Sequence, residues 1–146
     1  EHYEISNFAK TGNRAIHNSN YWLGKPYIGV GPSAHSYNLK ERFWNIANNH
    51  LYINKLKTNE IFFEKETLTQ ADKYNEYIIT NIRTIWGLNS NHISKNFPEF
   101  ETHFLRAVKD QVIENLMLNE NNIFRLSNDG QFLCDHISTE LMADTE

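Results

Sequence analysis

The 146-residue sequence holds one cysteine, Cys134, and that scarcity removes several chemistries at once. A single thiol forms no internal disulfide and cannot supply a multi-cysteine zinc site or an iron–sulfur cluster. Long apolar runs are also missing. No stretch approaches the roughly 20 apolar residues that a membrane span requires, and no basic start followed by an apolar segment marks a secretory leader. The expectation is a soluble, cytoplasmic chain. Basic side chains are absent from the last stretch, where Asp129, Asp135, Glu140 and Asp144 occur without one lysine or arginine.

What is present is enough for one ordinary core or two small ones: 40% of residues are hydrophobic and 13% aromatic. The first residue is glutamate, and a strand-like pattern of Tyr3, Ile5 and Phe8 begins at once, so the chain reads as a fragment. Charge is uneven. Residues 1–50 carry five Lys/Arg, three acids and four of the seven histidines, whereas residues 51–146 carry nine Lys/Arg against fifteen acids. The punctuated first pattern gives way to a helical one near "KLKTNEIFFEKETLT", which predicts a boundary at 58/59.

In the second part, Leu68, Ala71, Tyr74, Ile78, Ile82 and Ile85 recur at three- and four-residue steps, which predicts a helix over 68–86. Thr67 and Gln70 have capping-box spacing, and Gly87 sits where a left-handed residue closes the last turn. A second helix is predicted over 98–118, with Pro98 in its first turn and Phe100, Phe104, Leu105, Val108, Val112 and Leu116 facing inward. "LNENN" ends it and "IFRLS" reads as a short strand. "SNDGQFLCDHISTELM" then places Phe132 or Leu133, Ile137 and Leu141 on one face of a last helix, with Cys134 as a small apolar residue near it. Helix, turn, strand, helix reads as a winged-helix-like module. DNA reading is excluded, because the acidic last helix would be repelled by phosphates, and Arg106 and Lys109 are outnumbered by Glu99, Glu101, Asp110 and Glu114.

The first part is chemically richer. "HYEISNFAK" predicts a strand ending in a polar turn, and Tyr27 to Val30 a second, buried strand leading into the "GVGPSAHS" loop. Gly29 and Gly31 allow close backbone approach. With Ala34 they match the pattern G-x-G-x-x-A, but Pro32 interrupts the expected helix start and no acid follows at the required distance, so the nucleotide-fold reading fails. Two readings of the glycines stay open: a strand end that meets a ligand, and a structural turn. His2, His17 and His35 lack zinc spacing. A haem iron asks for only one imidazole between apolar and aromatic walls, which His17 with Tyr21 and Trp22 could supply. The competing reading has His17 bonded to a loop carbonyl and both aromatics filling a core.

"YEISNFA", "HNSNYW" and "YIGVGPSAHS", in this order and separation, resemble the HemN/HemW family, the oxygen-independent coproporphyrinogen III oxidase-like radical SAM proteins. The resemblance implies an α+β fold: residues 1–58 as the last strands of a radical SAM partial TIM-type barrel, and residues 59–146 as a mainly helical, winged-helix-like C-terminal domain. His-Asn-x-x-Tyr-Trp is similar to the pattern of the haem chaperone branch. That similarity implies a haem contact at His17, followed by Asn18, Tyr21 and Trp22, with Arg14 or Lys25 reaching propionates. Gly29, Gly31 and His35 fall where the family's barrel faces its substrate or a second SAM molecule.

The family's CxxxCxxC loop and SAM-binding strands are missing from this sequence. The [4Fe-4S] cluster and S-adenosylmethionine are therefore expected only in a full-length parent, and the fragment by itself is expected to be inactive. The resemblance favours haem delivery to an acceptor protein. Oxidative decarboxylation of a porphyrinogen, as in a true coproporphyrinogen oxidase, and a protein-interaction module stand as alternatives. Nucleic acid is not an expected partner, and open strand edges predict self-association of the fragment.

Overall fold

The computed structural model describes residues 1–144. Its elements are β1 (His2–Glu4), β2 (Asn7–Phe8), α1 (Ile16–Trp22), β3 (His35–Tyr37), β4 (Glu41–Asn45), α2 (Asn49–Thr58), β5 (Phe63–Thr67), α3 (Gln70–Ile82) and β6 (Leu88–Asn89). These are followed by α4 (Ser90–Asn96), a 3-10 turn (Pro98–Phe100), α5 (Glu101–Ile113), β7 (Met117–Glu120), β8 (Ile123–Leu126), α6 (Asn128–Phe132) and α7 (Cys134–Leu141). No helix among the described residues is long and apolar enough to cross a membrane. The chain forms two compact units, Gly24–Thr69 and the remainder, so the expected boundary at 58/59 falls inside the smaller unit.

The larger unit is built on α3. The predicted periodicity holds, and Tyr74, Ile78 and Ile82 are buried on one face. Each such side chain contributes about 1.5–3 kcal/mol when fully removed from water. The helix starts at Gln70 and stops at Ile82, shorter than expected at both ends; Thr67 belongs to β5, and Ile85 is exposed. Gly87 does take a left-handed conformation, with φ of +66°, and a Cβ there would lie 2.5 Å from the Phe124 carbonyl oxygen. Only glycine meets both conditions.

Beyond Gly87 the chain packs back onto α3. The Asn89 side chain accepts from the backbone N–H groups of Asn91 and His92 and so starts α4. Pro98 opens the short turn before α5, whose Phe104 and Val108 enter the core while Leu105 turns out to be exposed. The expected strand is β8. It lies centrally in an antiparallel sheet of order β6-β8-β7, with Leu88 opposite Phe124 and Met117 opposite Leu126.

The last helix is broken at Leu133. Phe132 is 89% exposed and Leu133 is exposed too, so the inward face begins at Cys134 and consists of Cys134, Ile137, Ser138 and Leu141. Tyr74 closes this core: its hydroxyl donates to the Leu141 carbonyl at 2.7 Å, and burial pushes the phenol far above its ordinary range.

The smaller unit is an antiparallel sheet of order β3-β4-β5 with α2 between its last two strands in sequence. β4 pairs along its whole length with β5, from Glu41 opposite Thr67 to Asn45 opposite Phe63. The expected buried strand at Tyr27 to Val30 does not form. Tyr27 makes one isolated bridge to Tyr37, and Ile28 and Val30 are each 86% exposed. The reason is a side-chain bond: the Gly29 N–H donates to the Ser36 hydroxyl, where a ladder would supply a backbone carbonyl.

Candidate functional site

The motif "HNSNYW" folds as most of α1, a single seven-residue helix starting at Ile16. A helix this short has little stability of its own in water, so its inner face must be held by tertiary contacts. Asn18 and Trp22, four residues apart, provide them. The Asn18 amide donates to the Tyr3 hydroxyl at 2.9 Å, and the Arg83 guanidinium lies 5.9 Å from the centre of the Trp22 ring. The same inner side carries Ser19 Oγ and Trp22 Nε1, buried without a hydrogen-bond partner among the described residues.

The other i, i+4 pair points outward. His17 is exposed and Tyr21 is 41% exposed, with their rings 4.8 Å apart and at 81° to one another. Ile16 and Leu23 are exposed on the same helix and at its end. No hydrogen bond engages a His17 ring nitrogen among the described residues, so the expected alternative of a loop-carbonyl bond does not occur. Trp22, expected as a second wall beside His17, packs on the inner side. Arg14 is committed elsewhere: its Nε donates to Glu1 at 2.9 Å, a second guanidinium nitrogen contacts the same carboxylate, and the group lies 5.5 Å from the Trp86 ring.

Gly29, Gly31 and His35 lie in the smaller unit and form a pinned loop. A Cβ at Gly29 would be 2.1 Å from the His35 carbonyl oxygen, which makes this glycine obligatory. Gly31 has φ of +109°, and its N–H donates to the Tyr52 hydroxyl at 3.2 Å. The organiser of the loop is a residue that sequence reasoning missed. Asn45 is 6% exposed and donates from its amide to the carbonyls of Gly31 at 2.9 Å and Gly29 at 3.4 Å, while its backbone N–H donates to Ala34. The imidazole of His35 is exposed. The loop is thus held by intrachain bonds to the Ser36 and Tyr52 hydroxyls and from the Asn45 amide.

A second missed feature is Glu4, inside "YEISNFA". Its side chain is buried and accepts from Ser6 N at 2.9 Å, Asn7 Nδ2 and Arg83 Nε at 2.9 Å. Burial pushes the carboxyl up, but the bonds from Asn7, Ser6 and Arg83 together with the Arg83 charge hold it below its ordinary value. Residues 3–5 lie beside residues 83–85, with Ile5 N donating to Arg83 O and Ile85 N to Tyr3 O. An acid within an otherwise strand-like apolar motif was the available signal.

The donor set does not fit a cluster. Cys134 is 5% exposed, burial raises its thiol pKa, and no group of three His, Cys, Asp or Glu among the described residues can hold a metal ion.

No protein-family model matches the chain. Among curated proteins it is similar to the heme chaperone HemW of Lactococcus lactis, 24% identical over 98% of this chain and 38% of that protein, and to HemW of Bacillus subtilis, 26% identical over 92% and 36%. A zebrafish (Danio rerio) mitochondrial radical S-adenosyl methionine domain-containing protein 1 is 58% identical over a shorter match of 33 residues, 23% of this chain and 7% of that protein. Among solved structures, the coproporphyrinogen III oxidase HemN of Escherichia coli superposes with a TM-score of 0.63 over 82% of this chain and 29% of that one, at 15% identity. The mixed helix-and-sheet architecture is thus similar to part of the fold of that E. coli protein. Sequence and fold together support a likeness to a C-terminal part of the HemN/HemW family. It spans little more than a third of the length of the two HemW proteins.

Proposed function

We propose that this chain is the haem-handling C-terminal segment of a radical SAM haem chaperone, with His17 as the iron ligand and delivery to an acceptor protein as the task of the whole protein. One observation carries the reading: α1 turns His17 and Tyr21 outward as an i, i+4 pair beside exposed Ile16, while Asn18 and Trp22 anchor the helix from behind. A neutral imidazole with an aromatic edge and aliphatic carbon beside it suits an axial bond and contact with a macrocycle. The names of the HemW relatives support the cargo, and the likeness to the E. coli oxidase concerns fold alone. In the same reading, the helices of the larger unit and its β6-β8-β7 sheet form the winged-helix-like domain.

The chemistry of this segment is binding. His17 supplies a lone pair and Tyr21 borders the ring, whereas Arg14 is held by Glu1. A [4Fe-4S] cluster and S-adenosylmethionine belong to the parent's other segments. The test is titration of the chain with haem, following the Soret band, for wild type, His17→Ala and His35→Ala. Loss of the shifted band and an affinity at least tenfold weaker in His17→Ala alone is the expected result. An unchanged spectrum and affinity in His17→Ala overturns the assignment, and an effect confined to His35→Ala moves the ligand to the "GPSAHS" loop.

A further inference from the structure

A cleft of about 410 Å³ lies between α5 and α7. Its walls are polar. From α5 come His103, Arg106, Asp110, Gln111 and Glu114, spaced so that they follow one stripe of the helix, and from α7 come His136 and Glu140 at an i, i+4 step. Three carboxylates face one guanidinium, and none of these four groups makes an ion pair or a side-chain hydrogen bond among the described residues. Arginines 14, 83 and 125, by contrast, are all engaged by acids.

A cluster of acids at a surface is ordinarily a solvated face. Here a different observation singles it out. Gln111 is 8% exposed, and its Oε1 is buried with no hydrogen-bond partner; His103 Nε2, in the same lining, is also buried and unpartnered. Buried polar atoms are nearly always satisfied, so an acceptor left open in the wall of a cleft calls for a donor that the chain does not supply. The carboxylates fix the sign of that donor. Metal ions are not candidates, because no three His, Cys, Asp or Glu side chains among the described residues can converge on one.

We propose that the α5/α7 cleft binds an organic cation through N–H donors, a guanidinium or primary ammonium group. Its donors meet Gln111 Oε1, and its charge is held by Asp110, Glu114 and Glu140. Guanidinium suits the site better than ammonium, because a planar fork serves an amide oxygen and a carboxylate together. Such a group reaches the cleft either on a free small molecule or as an arginine side chain of a partner protein.

The experiment is NMR titration of the whole chain at constant pH, following the His103 and His136 ring signals. The probes are agmatine and the blocked peptide acetyl-Gly-Gly-Arg-Gly-Gly-amide, with glucose as a neutral control. Saturable shifts of both imidazoles with at least one cationic probe are expected. Gln111→Leu keeps the volume and removes the acceptor, and Glu140→Gln removes one charge at an exposed position that folding does not depend on. Each should weaken binding at least fivefold. Tighter binding of the peptide identifies a protein side chain as the source, and tighter binding of agmatine a small molecule. Absence of saturable shifts with both probes, or unchanged affinity in Glu140→Gln together with a folded Gln111→Leu, shows a water-filled cleft and overturns the proposal.

Discussion

Arg83 Nε donates to Glu4 Oε1 at 2.9 Å across 79 residues of sequence, joining the "YEISNFA" motif to the C-terminal end of α3. The carboxylate is almost wholly buried, whereas the Arg83 side chain keeps 25% of its surface and also reaches Asp135 at 3.4 Å. Removing one partner of such a pair leaves a buried charge without its counterion. The usual cost is about 3–5 kcal/mol for a fully buried pair, reduced to about 2 kcal/mol where one partner meets water. Arg83→Met should therefore lower unfolding stability in urea by about 2 kcal/mol, and the double variant Glu4→Gln/Arg83→Met should recover part of the loss.

The same pair predicts an acid dependence. The folded-state pKa of Glu4 lies below its unfolded value, so its contribution is present above the unfolded pKa of about 4.3 and is lost as pH falls through the folded value. Urea midpoints measured at pH 6 and pH 3 should fall more steeply for the wild type than for Glu4→Gln. Parallel lines for the two proteins would show that Glu4 is not the acid-sensitive group.

Gly29 and Asn45 form the next test. Gly29→Ala places a methyl group 2.1 Å from the His35 carbonyl, so backbone must move, whereas Asn45→Ala removes two donors to the loop but adds no bulk. Both should accelerate amide exchange at Gly31 and Ala34, whose bonds to Tyr52 and Gly31 depend on the loop. Exchange in the core amides of α3 and α5 should be unchanged, because those helices belong to the other unit.

Cys134 should be inert in the folded chain. Burial raises its thiol pKa and limits access, so a thiol reagent at pH 8 should label it slowly, and at the free-thiol rate only in denaturant. Anaerobic incubation of the chain with iron and sulfide should give no cluster absorbance that survives desalting and depends on Cys134, since one thiolate cannot replace three.

Tyr74 links α3 to the end of α7 by the bond from its hydroxyl to the Leu141 carbonyl. Tyr74→Phe keeps the ring but leaves that carbonyl unpaired in the core. Thermal unfolding should show a loss of about 1–3 kcal/mol, the cost of an unsatisfied buried acceptor.

The amino-acid sequence by itself determined the elements whose causes are local. Tyr74, Ile78 and Ile82 repeat at helical spacing, Gly87 must take a left-handed turn, and Pro98 opens the segment before α5; each follows from a few neighbouring residues. His17 and Tyr21 stand one turn apart once α1 forms, a helix that the sequence reading did not expect. Tertiary structure decided what depends on distant partners. Whether Tyr27 to Val30 becomes a buried strand turned on Ser36 and Asn45 taking hydrogen bonds that a neighbouring backbone would otherwise make. Trp22 faced inward because Arg83 lies behind it, and Glu4 could be buried because the same Arg83, 79 residues away, returns to neutralise it. Periodicity encodes which face of an element is apolar. It holds no information about which separated polar groups will meet, since that pairing is made only when the chain closes on itself and water is excluded.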